Sequence, residues 1–251
     1  MCKMDELAER YTAVLNRIHN AAQRAGRNPD EITLVAVTKT WPNEVNLTAY
    51  EVGMRHFGEN HPEELARKAK AVSAELGADS GVIWHQIGPV QSRKTKLVAQ
   101  YADVLHALDR LKIANRLSRQ LANTGKILPV FLEVNLSGEA SKAGFSCTNW
   151  EEDATQQAEL RKVVDTVTNL PGLTLYGLMT MAPWHVDEAI IRTVFRRTRL
   201  LAEWLEQTMP SIQKPLHLSM GMTDDFEIAI EEGATHVRVG RAIFGERDYS
   251  N

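Results

Sequence analysis

The run Ile32-Thr33-Leu34-Val35-Ala36-Val37-Thr38, closed by Lys39, decides the fold. Apolar character sustained over so short a span marks a strand buried on both faces, as in a parallel sheet covered by helices. Lysine is rarely buried without a partner, so a lysine ending such a strand needs a reason. It snorkels to water just past the strand, or it stands at the C-terminal strand ends, the working face of α/β barrels. There, partial desolvation lowers its pKa and lets it attack a carbonyl to form a Schiff base. Lys39 alone leaves the two readings even.

Working outward, short apolar runs alternate with longer amphipathic stretches. Strands are predicted near 32–38, 55–59, 82–88, 103–107, 128–135, 173–180, 216–219 and 236–240. Helices are predicted near 43–53, 62–76, 91–100, 109–123, 150–169, 186–208 and 224–232, after an N-terminal helix over 3–25. That first helix has Leu7, Tyr11, Val14 or Leu15, and Ile18 on one face, and Gly26 and Pro29 stop it. Eight strands alternating with helices predict a single (β/α)8 barrel, one domain over 1–251, although a doubly wound open sheet shares the alternation. About a turn of helix follows the last strand, and the N-terminal helix is expected to cover the gap. The loop over 136–149 is polar, without expected secondary structure, and follows a strand, which places it at the working face.

A net charge of -3 over 251 residues gives no electrostatic case for nucleic acid or an anionic membrane. The two cysteines, Cys2 and Cys147, lie in no metal-type spacing and argue for a reducing compartment. The N-terminus has no apolar core of a signal peptide, and no stretch approaches the roughly 20 apolar residues that span a bilayer. A cytoplasmic protein is expected.

Two segments near the C-terminus change the odds on Lys39. In Leu216–Asp225 a strand ends, Gly221 turns and a helical run begins; backbone N–H groups there suit an anion, with the Ser219 and Thr223 hydroxyls as added donors. In His236–Gly245 another strand ends at Gly240. These follow strands seven and eight, where barrels often hold a phosphate. Arg238 alternates with Val237 and Val239, so it faces the barrel mouth if the valines pack under helices; the competing reading is a buried ion pair with a carboxylate such as Glu133. Glu59, Asn60 and His85 end strands two and three and are candidates to orient a cofactor, with a helix N-cap as the plainer role for Asn60 and a core position favoured for His85. His56 and His217 read as structural, and the methionines at strand ends read as core fillers. A strand-end lysine, phosphate donors after the last two strands and an arginine between them together fit pyridoxal phosphate. An arginine at the pyridine nitrogen would keep that nitrogen unprotonated.

The set Val37-Thr38-Lys39, Phe57-Gly58-Glu59-Asn60, His85-Gln86-Ile87-Gly88, Gly177-Leu178-Met179, Leu218-Ser219-Met220-Gly221-Met222 and Val237-Arg238-Val239-Gly240 resembles the pyridoxal-phosphate homeostasis proteins, also called proline synthase co-transcribed homologues. The match runs over nearly the whole chain. It implies a barrel like the alanine racemase N-terminal domain, a Schiff base at Lys39, and phosphate contacts from Ser219–Met222 and from the Gly240–Arg241 backbone. It also implies Arg238 near the pyridine nitrogen and Asn60 near the cofactor. The chain departs from the pattern at His61, where relatives usually have Tyr, at Arg241, where many have Thr or Ser, and at Arg93, where Asn is common.

The resemblance implies a carrier or regulator of free cofactor with no firmly assigned reaction; the expectation is a non-catalytic monomer that buffers the cofactor or delivers it to apo-enzymes. A racemase is the alternative, weakened because racemases of this fold take a second base, a tyrosine, from another domain and subunit. A Schiff-base aldolase without the cofactor is the third reading.

Overall fold

The computed structural model describes residues 3–138 and 143–246. Nine parallel strands follow one another in chain order: β1 Thr33–Val37, β2 His56–Glu59, β3 Ile83–Gln86, β4 Val104–Leu108, β5 Leu128–Asn135, β6 Phe145–Ser146, β7 Leu173–Met179, β8 His217–Ser219 and β9 His236–Val239. They lie in the order β4-β3-β2-β1-β9-β8-β7-β5-β6, and β4 pairs with β5 to close eight of them into a barrel. The helices are α1 Lys3–Arg24, α2 Asn43–Glu51, α3 Pro62–Leu76, α4 Thr95–Tyr101, α5 Leu111–Leu121, α6 Ala154–Thr168, α7 Glu188–Thr208, α8 Phe226–Glu231 and α9 Arg241–Phe244. The open-sheet alternative is thereby excluded.

Three segments depart from expectation for local reasons. The helix expected over 91–100 opens as a 3-10 turn, Ser92–Lys94, before α4. The helix expected over 150–169 starts at Ala154, because the Asp153 carboxylate caps the N–H groups of Thr155 and Gln156. The loop over 136–149 does carry structure: β6 pairs with the end of β5, and the Cys147 N–H donates to Asn135 O at 3.0 Å. Beyond the barrel wall that edge of β5 has unpaired backbone groups, which β6 satisfies. The remainder of that loop, 139–142, lies outside the described residues.

α1 fills the slot that the four-residue α9 leaves. Its Leu7, Val14 and Ile18 are buried while Leu15 is 40% exposed, which decides between the two candidates for the face. Arg17 Nε donates to Glu227 at 2.7 Å and Arg24 Nε to Glu231 at 2.8 Å, tying α1 to α8.

Two cores result. Between strands and helices lies an aliphatic layer that includes Val237 and Val239. Inside the barrel a second, smaller group holds Val104, Ala107, Phe131 and Met179. Around it stand the imidazoles of His85, His106 and His236, all buried. Gly177 allows β7 and β8 to approach, since a Cβ there would come within 1.8 Å of His217 O.

Candidate cofactor site

At the C-terminal strand ends a cavity of about 660 Å³ opens, lined among others by Lys39, Asn60, Met222, Arg238, Gly240 and Arg241. Elements from both ends of the chain meet there because β1 pairs with β9, with Val35 opposite Arg238. Lys39 follows β1 after one residue, Thr38.

On the Lys39 side the support is ionic. Lys68 Nζ, fully buried on α3, donates to Glu59 at 2.8 Å and to Thr38 O at 2.6 Å, and pairs with Glu64 at 3.0 Å. Glu64 also accepts the Thr40 N–H at 2.7 Å. Thr40 sits at φ 71, a left-handed conformation costly for a β-branched residue. The Thr38 hydroxyl donates to Glu59 at 2.5 Å and accepts from Asn46 Nδ2 at 3.0 Å. Both residues flanking Lys39 are thus tied to one cluster. Burial pushes the Glu59 carboxyl up to about 7, against the pull of Lys68 and Thr38, and its buried Oε2 has no hydrogen-bond partner among the described residues.

On the Arg238 side the support is neutral. Arg238 donates from one terminal nitrogen to Ser219 Oγ at 2.6 Å and from the other to Thr180 O at 3.1 Å. Ser219 Oγ lies 2.7 Å from His106 Nδ1. His106 Nε2 lies 2.8 Å from His85 Nδ1, and His85 Nε2 lies 2.9 Å from His56 Nδ1. Burial holds His85 and His106 well below the usual imidazole range, helped by the neighbouring histidines. Burial also lowers Arg238 to about 10, while Asp225 and Glu133 pull it back up. Glu133 itself is pushed up to about 7 by burial and by Asp109. Arg238 therefore faces the cavity, as its alternation with the valines predicted, and its hydrogen bonds go to Ser219 and Thr180 rather than to Glu133.

The two glycine turns close the far wall. Gly221, at φ 92, packs so tightly on α8 that a Cβ would sit 2.6 Å from Ala229 Cβ. Its carbonyl accepts the Arg238 N–H at 2.9 Å. The Met222 N–H is taken by the Asp225 carboxylate at 2.6 Å. The N–H groups of Thr223, Asp224 and Gly240 donate to no acceptor among the described residues. Arg241 spans the two turns, with its guanidinium on both Asp224 oxygens at 2.6 Å. On the opposite wall Gln86 Nε2 donates to Asn60 O at 2.9 Å and to Gly88 O at 3.0 Å. Gly88 leaves room for Asn60, whose Oδ1 would lie 2.6 Å from a Cβ.

Of the residues expected at the site, Lys39, Asn60, Met222, Arg238, Gly240 and Arg241 reach the cavity. Gly221 and Ser219 stand behind it, and the Ser219 hydroxyl bonds Arg238 and His106 instead of facing the cavity. Lys68 was missed, although a signal existed: it interrupts the apolar stripe Leu65, Ala69, Val72 of α3. His106 was missed as well; one histidine in an apolar strand carries no signal of its partners.

Residues 11–248 match the alanine racemase N-terminal domain family. The pyridoxal phosphate homeostasis protein of Vibrio alginolyticus is 40% identical over 98% of this chain and 100% of its own. The chain belongs to the pyridoxal phosphate homeostasis protein family. PipY of Synechococcus elongatus, solved with pyridoxal phosphate bound, superposes with TM-score 0.77 at 31% identity, over 95% of this chain and 100% of PipY. Alanine racemase of Clostridium difficile shares the fold alone, with TM-score 0.70 at 12% identity over 98% of this chain and 58% of that one. Family membership agrees with the closed barrel. Among the described residues no helix is long and apolar enough to cross a membrane, and no cluster of His, Cys, Asp and Glu is suited to a metal.

Proposed function

We propose that this chain binds pyridoxal 5'-phosphate in the strand-end cavity and buffers or delivers it inside the cell, as a monomeric barrel domain without amino-acid turnover of its own. One observation carries the reading: Lys39, Arg238 and the unclaimed N–H groups of Thr223, Asp224 and Gly240 border a single cavity. That donor set fits the cofactor. When bound, pyridoxal phosphate supplies an aldehyde open to capture by a lysine amine, a phosphate and a pyridine nitrogen. Lys39 is the amine at the cavity wall. The two turns offer N–H donors of the kind that cradle phosphate, and the Thr223 hydroxyl adds another. Arg238, a donor without an acceptor atom, suits a pyridine nitrogen that accepts, and Asn60 borders the same space.

The same arginine argues against catalysis. A donor-only partner leaves the pyridine nitrogen unprotonated, and a neutral ring stabilises a substrate carbanion poorly. Among the described residues that line the cavity there is no tyrosine to act as a second base. A cavity that opens at the strand ends suits exchange of the ligand with apo-enzymes.

Incubation with pyridoxal phosphate should turn the protein yellow, and borohydride should fix the cofactor mass on the Lys39 peptide. In Lys39→Ala the covalent mark should vanish while weaker binding persists. A protein that stays colourless and unlabelled overturns the reading. Turnover of any amino acid at about 1 per second or faster, within the usual enzyme range, would make this an enzyme and overturn the reading.

A further inference from the structure

Arginine has five N–H donors and no acceptor, so Ser219 Oγ must accept from Arg238 at 2.6 Å. The hydroxyl has one proton left to place. Its other neighbour is His106 Nδ1 at 2.7 Å, so His106 accepts there and carries its own proton on Nε2. That Nε2–H points at His85 Nδ1, 2.8 Å away, and puts the His85 proton on Nε2 in turn. His85 Nε2–H then donates to His56 Nδ1 at 2.9 Å. The reverse order fails at Ser219. It would accept from both Arg238 and His106, and its proton would be left without an acceptor among the described residues in a fully buried position. Only one direction, from Arg238 to His56, gives each of these contacts one donor and one acceptor and leaves the Ser219 proton with a partner.

We propose that His106 and His85 are positioning residues for the cavity ligand. Through Ser219 they hold the Arg238 guanidinium in the cavity wall, although neither imidazole reaches the cavity. Glu133 and Asp225 are close enough to act on Arg238 electrostatically without being its hydrogen-bond partners. A neutral chain puts no anion on the guanidinium, so its charge is not compensated at these hydrogen bonds and its remaining N–H groups stay available to a ligand. His106 is itself held in place, stacked on Phe131 at 4.6 Å and edge-on to His236 at 5.9 Å. The inference rests on the cofactor reading for the identity of the ligand, and on the geometry alone for the chain.

Nitrogen NMR of histidine-labelled protein without ligand tests the chain. At pH 7, His56, His85 and His106 should all be neutral with the proton on Nε2; a proton on His106 Nδ1 overturns the proposal. Its consequence is read in three variants, by hydrogen exchange of the Arg238 side chain and by non-covalent pyridoxal phosphate affinity in a Lys39→Ala background. His106→Leu and Ser219→Ala each remove a link and should speed exchange and weaken binding about tenfold, the effect of one hydrogen bond to a charged group. His106→Asn keeps an acceptor near the Nδ1 position and should restore both to within about threefold. Exchange and affinity unchanged in folded Ser219→Ala or His106→Leu overturn the proposal. Absence of pyridoxal phosphate binding by the unmodified protein would sink the cofactor reading, and with it the ligand half of this one, while the tautomers and exchange rates still judge the chain.

Discussion

Beneath Lys39, the Lys68 ammonium shares its hydrogens among Glu59, Glu64 and a backbone carbonyl; beneath Arg238, a serine and three imidazoles run in line with no carboxylate among them. The difference follows from what each support must hold. The ionic cluster holds backbone: it grips Thr38 and Thr40 and keeps the left-handed turn that presents Lys39. Burying its charges is costly, and the geometry has to offset that cost. The neutral chain holds a side chain and leaves it charged toward the cavity. One cation of the site is placed by its turn, the other by its neighbours.

Breaking the ionic wall should have the largest effect. Lys68→Met leaves Glu59 buried without its cation and should lower stability by about 3–5 kcal/mol, read by denaturant unfolding at pH 7. Adding Glu59→Gln should recover part of that loss. A loss below about 1 kcal/mol in the single variant would mean the cluster is not the anchor described.

Acidification separates the two walls by sign. Glu59 titrates at about 7 in the fold against 4.5 as its ordinary value. Between those values unfolding releases a proton, so this group lowers stability as pH rises. The imidazoles of His85 and His106 lie well below 6.5 in the fold. Below 6.5 unfolding takes up protons at these groups, so they raise stability as pH rises and lose that contribution on acidification. Between about pH 5 and 6, Glu59→Gln should therefore steepen the rise of stability with pH by up to about 1.4 kcal/mol per unit, and His106→Asn should flatten it by the same amount. Changes of the same sign in both variants would erase the distinction between the walls.

Two smaller effects sharpen it. Thr40→Gly removes the side chain from a left-handed position while keeping the N–H bonded to Glu64. Strain relief and glycine's entropy cost nearly offset, leaving a gain of about 0.5 kcal/mol in stability. A large loss would show that the threonine side chain itself holds the turn. Arg241→Thr breaks an ion pair whose side chains are 43% and 71% exposed. Its stability effect should stay within about 0.5 kcal/mol, a surface counterpart to the buried Lys68 pair.

Particular residues show what could be read in advance. The run 32–38 is mostly apolar and holds no charge, and eight short, largely apolar runs alternate with helical stripes; that periodicity reflects burial on both faces, so the barrel was legible. Lys39 and Arg238 were legible for the same reason, as cations just past or within largely apolar strands. Ser219, beside a glycine turn, has the local setting of a phosphate contact, yet its hydroxyl bonds His106 and Arg238. His85 reads as a core residue and is one, but as a link in a chain that no single strand displays. Lys68 carried a faint local signal, while His106 carried none. By itself, then, the sequence determined strand and helix order, the lysine at a working strand end and the anion-suited turns, because each is a pattern within about ten residues. The tertiary structure alone decided which donors reach the cavity and which stand behind it. His56, His85, His106, Ser219 and Arg238 come together only when the barrel closes, and no local periodicity records which side chains meet across its axis.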